Sequence, residues 1–195
     1  MPKITRRACL ILAAVASLAV PPSAFAAECQ KIQFPDTVNA AGTDLVLNGL
    51  GIRKATILAV KVYVAGLYLP QKSADPEQIL RSNRPWQLTL RFVRDVDASD
   101  MHSAFKEGFE NALGQKAATL KPQIDAMNAQ IVEIKKGQYL TFTNDPAKGV
   151  TVDMNGAAGS PIQGPDFAMA LLSVWLGPKP PNADLKTGLL GGKCE

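Results

Sequence analysis

The stretch Gly49–Pro70, GLGIRKATILAVKVYVAGLYLP, decides the fold. Aliphatic and β-branched residues dominate Asp44–Ile52 and again Thr56–Leu69, so the pattern predicts two antiparallel strands with Arg53-Lys54 between them. Side chains alternate between the two faces of a strand. Arg53, Lys61 and Tyr63 therefore fall on one face and Val60, Val62 and Val64 on the other, while Tyr68, of even parity, faces away from Tyr63. Arginine offers a permanently charged planar fork to carboxylate or enolate oxygens, and a tyrosine hydroxyl beside it adds a neutral donor. On the residues alone two readings stand. Arg53 and Tyr63 hold a ligand's charge in a dry cleft, or Arg53 ends a hairpin in solvent while the Tyr63 ring covers core. Gly49 and Gly51 follow strand sequence, but the third glycine and the helix of a dinucleotide loop are missing.

Beyond Pro70, ADPEQILRSNRP predicts a short helix capped by Asp75, with Pro76 at its first position and Pro85 ending the segment. Trp86–Phe92 alternates, which puts Trp86, Leu88, Leu90 and Phe92 on a buried face and Gln87, Thr89 and Arg91 on a polar one. That polar face either lines a cleft or meets water. DASDMHSAFKEGFENALG spaces Met101, Phe105, Phe109 and Ala112 as a helix, with Asp97 or Ser99 as cap and Gly114 as stop, and a second helix is predicted through LKPQIDAMNAQI. QYLTFTND, GVTVDMNG and the short GSPIQG read as strands joined by Asn-Asp-Pro and Asn-Gly turns. PDFAMALLSVWLG and NADLKTGLLGG read as two closing helices, the second capped by Asn182. The order implies an α+β domain with a mostly antiparallel sheet.

The N-terminal 26 residues combine a basic start (Lys3, Arg6, Arg7), an apolar run from Ala8 to Val20 and a small-residue end at Ala24-Phe25-Ala26. They are expected to be a signal peptide cleaved after Ala26, leaving 27–195 as one periplasmic or secreted domain with no stable membrane span. The leader carries three of the 21 basic residues and none of the 17 acidic ones, so its loss lowers the net charge from +4 to +1. A near-neutral domain of this kind has no nucleic-acid footprint. With the leader gone, Cys29 and Cys194 remain. In an oxidising compartment they are expected to pair, the alternative being two unpaired thiols on the tails. His102 is the sole histidine, and no ligand cluster or nucleophile motif surrounds it, so neither a metal nor another cofactor is expected.

LNGLGIRKATILAVKVYVAGLYLP (Leu47–Pro70), FKEGFENAL (Phe105–Leu113) and DFAMALLSVWLGPKPPNADLKTGLLG (Asp166–Gly191) together resemble the chalcone isomerase-like family, in its exported bacterial branch. The resemblance implies an open-faced β-sandwich, a large antiparallel sheet with helices on one side and a ligand cleft between them. In the plant isomerases of this superfamily an arginine after the G-x-G strand holds the nucleophile's charge, and Arg53 in G-I-R matches it. Tyr63 stands, across a small gap, where those enzymes have a threonine. Their catalytic tyrosine begins the helix after the third long strand, and there this chain has Met101. A thioether cannot donate a hydrogen bond to a developing enolate.

Fatty-acid-binding relatives keep an arginine and a tyrosine in a K-V-Y-A-A-G context, and KVYVAG, Lys61–Gly66, is similar with one change. The implied function is noncatalytic binding of a small amphipathic ligand such as a fatty acid, clamped by Arg53 and Tyr63. Arg91, Met101 and Phe105 are further candidate ligand contacts. Leu88, Leu90, Phe109, Leu172 and Trp175 are candidates for an apolar wall that serve equally as core. The alternative is an isomerase, an intramolecular lyase, acting on an enone or phenolic substrate. In that case Arg53 stabilises the oxyanion, and Tyr63 or Tyr68 donates the proton.

Overall fold

The computed structural model describes residues 27–56 and 58–195; the expected signal peptide, residues 1–26, lies outside them. Strands β1 (Ala27–Cys29) and β2 (Ile32–Phe34) form a separate hairpin, which is followed by β3 (Thr37–Ala40), β4 (Thr43–Ala55) and β5 (Val60–Leu69). Helix α1 (Pro76–Arg81) leads into β6 (Trp86–Phe92). Then come α2 (Ala98–Leu113), a 3-10 stretch (Gly114–Leu120), α3 (Lys121–Asn128), β7 (Tyr139–Asp145), β8 (Gly149–Met154), β9 (Ala157–Ala158), α4 (Pro165–Leu176) and α5 (Ala183–Leu189). Strands β3 to β9 lie in sequence order in one seven-stranded antiparallel sheet. The α+β architecture expected from the sequence is the one observed.

Each layer has an apolar face to hide. Ala65, Leu67, Leu88, Leu90, Leu140 and Phe142 project from the sheet into one core with the helices, notably with Phe105, Phe109, Phe167 and Trp175. On the other side the β1–β2 hairpin lays Phe34 over Leu50, Ile52, Val64 and Tyr68. The Cys29–Cys194 disulfide ties that hairpin to the C-terminal tail, as the sequence led us to expect.

Local chemistry explains most boundaries. Asp75 accepts from the Glu77 and Gln78 backbone N–H groups at 2.9 and 3.2 Å, and Pro76 opens α1, so this helix starts where the sequence places it. Asn155 and Gly156 both take positive φ, +55° and +88°, and turn β8 back to β9. The strand expected in GSPIQG is instead the pair Ala157–Ala158 plus a lone bridge from Ile162 to Val150, because Pro161 has no N–H to extend a ladder.

A larger difference concerns the β4–β5 hairpin. Its turn follows Thr56, whose carbonyl accepts from the Ala59 N–H at 3.1 Å, and does not fall at Arg53-Lys54. Strand β4 runs through both charged residues because each finds a partner within the fold: the Lys54 side chain reaches Asp184 at 3.8 Å, and Arg53 meets the loop before α5. Helix α5 can lie directly on β4 because Gly49 and Gly51 face it. A Cβ at Gly49 would stand 2.7 Å from the Gly191 nitrogen and 2.8 Å from the Leu189 carbonyl oxygen.

Candidate functional site

Arg53 and Tyr63 are direct cross-strand partners on β4 and β5. One step further, Lys54 pairs with Lys61, which leaves Val62 as the extra residue of a bulge. Strict alternation therefore fails at Val62, and this residue lines the same cavity as Tyr63. The cavity measures about 410 Å³ and lies between these strands, helix α2 and the α4–α5 connection. That is within the range of roughly 300–1,000 Å³ usual for small-molecule sites. Arg53, Tyr63, Met101, Phe105, Trp175 and Pro181 mark its limits.

Tyr63 is buried, and its hydroxyl oxygen accepts a hydrogen bond from Trp175 Nε1 at 2.9 Å. An indole N–H can only donate, so the oxygen is committed as acceptor and the phenolic proton is directed elsewhere. No acceptor for that proton is found among the described residues. Burial pushes the Tyr63 pKa up, against the smaller opposing effects of the Trp175 bond and the Arg53 charge. The hydroxyl is thus a neutral donor across the physiological range.

Arg53 is half-buried, and one arm of its fork is occupied. Nη1 donates to the Lys54 carbonyl, to the Asn182 Oδ1 at 3.2 Å and to the Pro181 carbonyl at 3.4 Å. Nε and Nη2 have no protein acceptor, and no carboxylate lies within ion-pair distance of Arg53, among the described residues. The acidic groups on the cavity wall do not compensate it. Asp95 is bound instead by the Lys136 backbone N–H at 2.8 Å and by Lys135, which together hold its carboxyl below the usual carboxylate range.

Asn182 sits at the N-cap position of α5 but makes no capping bond with its side chain. Its Oδ1 is turned to β4, where it accepts from the Lys54 backbone N–H at 2.8 Å as well as from Arg53. The expectation of a helix cap is corrected here: two donors on the neighbouring strand outcompete the first turn of a seven-residue helix.

Of the sequence-nominated contacts, Arg53, Tyr63, Met101 and Phe105 are brought together, and Leu90 and Trp175 join them from the wall candidates. Leu88, Phe109 and Leu172 are buried core outside the cavity lining. Arg91 is not part of the site. It belongs to the polar face of β6, on the opposite side of the sheet, with its guanidinium 5.8 Å from the centre of the Phe34 ring and 5.4 Å from that of Tyr139. The parity that buries Leu88 and Leu90 toward the helices forces Arg91 outward. Tyr68 also lies on that far side, where its hydroxyl donates to the Pro35 carbonyl at 3.1 Å. Among the described residues no cluster of histidine, cysteine and carboxylate side chains is arranged to hold a metal ion, and no helix is long and apolar enough to cross a membrane.

The model of a family described as chalcone isomerase-like matches residues 26–191. No curated protein matches the chain. Among solved structures, the crystal structure of a fatty-acid binding protein from Arabidopsis thaliana is similar, with a TM-score of 0.67 at 16% sequence identity, over 82% of this chain and 92% of that one. At that identity the likeness is one of fold.

Proposed function

The chain belongs to the chalcone isomerase-like family, and on that premise we propose that it is an exported, noncatalytic binding protein for an amphipathic carboxylate of the fatty-acid type. The observation that carries this reading is the pair of available donors, Arg53 and Tyr63, at one end of a cavity whose wall elsewhere also carries Asp95, Asp100 and Glu107. Among the described residues Arg53 has N–H groups without an acceptor and no carboxylate partner, and Tyr63 has a proton that its bond from Trp175 directs away. Two such donors, one of them charged, call for an acceptor-only headgroup, and a carboxylate fits. Val62, Leu90, Met101, Phe105 and Val174 offer apolar wall for a tail. Ten buried methylenes would contribute on the order of 8 kcal/mol before the costs of association.

The likeness in fold to the Arabidopsis thaliana fatty-acid binding protein supports a lipid ligand. A thioether at Met101, with no proton to donate, argues against turnover of an enone. The leader-like sequence of residues 1–26 and the Cys29–Cys194 disulfide support an oxidising, extracytoplasmic location.

Native mass spectrometry of the exported protein tests the reading. A stoichiometric fatty acid is expected in the wild type and is expected to be lost in Arg53→Ala. An empty wild type that converts enone substrates instead would overturn it in favour of an isomerase.

A further inference from the structure

Asn182 holds Arg53 with a neutral atom, and nothing in helix α5 requires that neutrality. Asparagine and aspartate serve about equally well at an N-cap, and aspartate adds a favourable charge at a helix N-terminus. The side chain does not cap α5 in any case. Its two partners, the Lys54 backbone N–H and Arg53 Nη1, are both donors, which fixes the amide oxygen toward them. An aspartate would satisfy both equally well but would place a full negative charge about 3.2 Å from the guanidinium. The nearby acid, Asp184, is directed to Lys54 and not to Arg53. Pro180 and Pro181 restrict the backbone just before Asn182, and Gly49 and Gly51 seat α5 against β4, so the amide is held in place from both sides.

We propose that Asn182 is the positioning residue of the anion site: beside the Lys54 and Pro181 carbonyls it is the one side chain, among the described residues, that accepts from Arg53 Nη1, and it fixes the guanidinium through a neutral atom that leaves the positive charge free for a ligand's carboxylate. This rests on the carboxylate-binding reading above. Asn182 acts through Arg53 and makes no contact of its own with the ligand.

The test compares wild type, Asn182→Asp and Asn182→Ala by calorimetric titration with decanoate, by thermal melting and by NMR of the Arg53 guanidinium nitrogens. Asn182→Asp keeps the acceptor for the Lys54 N–H, so its melting temperature should equal or exceed that of the wild type. Its decanoate affinity should nevertheless fall about tenfold or more, because the new carboxylate competes for the same charge. In Asn182→Ala the two Nη signals of Arg53, resolved while the fork is held, should merge. An Asn182→Asp protein that binds decanoate as tightly as wild type overturns the proposal, and so do Nη signals that stay resolved in Asn182→Ala. A wild type that binds no decanoate overturns the carboxylate reading of the cavity, and the guanidinium signals then decide the positioning role by themselves.

Discussion

Trp175 Nε1 donates to the Tyr63 hydroxyl oxygen across 2.9 Å, and this one bond joins α4 to β5 at the cavity wall. Both residues are buried, so removing either partner leaves the other short of a bond. Tyr63→Phe and Trp175→Phe are each expected to destabilise the protein by about 1–3 kcal/mol in urea unfolding. The double variant should lose less than the two costs added together, because the second change removes a group already orphaned by the first. Strictly additive losses would mean that the bond contributes nothing.

Alkaline pH should weaken the fold through two tyrosines. Burial raises the Tyr63 pKa above its ordinary value of 10.0, and burial also raises that of Tyr68, against the opposing charge of Arg91. As pH climbs past about 10 the unfolded chain releases these protons first, the folded protein keeps them, and the free energy of unfolding falls. Below that point both states are protonated and this contribution is constant. Urea midpoints measured on either side of about pH 10 should show the decline, and Tyr63→Phe combined with Tyr68→Phe should flatten it. An unchanged slope in the double variant would rule these two groups out as its source.

Gly51→Ala should be costly for the addition of one methyl group, because Gly51 is buried where α5 meets β4. Its new Cβ would overlap the Leu185 carbonyl and stand 2.8 Å from Leu185 Cδ1, so α5 must move or β4 must bend. A loss of about 1–3 kcal/mol is expected, typical of overpacking. Hydrogen exchange should speed up in α5 more than in α2. Equal exchange in both helices would show that α5 does not depend on this close approach.

The disulfide should matter to equilibrium stability. It bridges a sequence separation of 165 residues, for which the chain-entropy account gives roughly 5 kcal/mol. Cys194→Ser, or reduction of the wild type, should lower the urea midpoint to a common value. A midpoint insensitive to reductant would show that the hairpin is held by the packing of Phe34 alone.

Much of the fold was legible where one strong local signal met no competitor. The alternation in Trp86–Phe92 gave β6 its bounds and its buried face, and Asp75-Pro76 gave α1 its start. Parity also separated Tyr63 from Tyr68 correctly. The errors arose where tertiary partners overrode local preference. Charged residues at Arg53-Lys54 looked like a turn, yet Asn182 and Asp184, more than a hundred residues later, hold them in a strand. Asn182 looked like a helix cap for the same reason. Arg91 was drawn toward the cleft by its charge, although the parity of its own strand already placed it opposite Leu88 and Leu90. The short strands β1 to β3 carry no run long enough to stand out, and the bulge at Val62 has no mark in composition.

The position of Cys194 also fixes an order of events. Every strand and helix of the described fold precedes it in the chain, while its partner Cys29 lies just before β2. A ribosome or translocation pore that delivers the chain from its N-terminus therefore presents the whole sheet and all five helices before the second thiol arrives. The covalent closure can form only after the last helix has been delivered, and it latches the N-terminal hairpin to a segment made after the whole sheet.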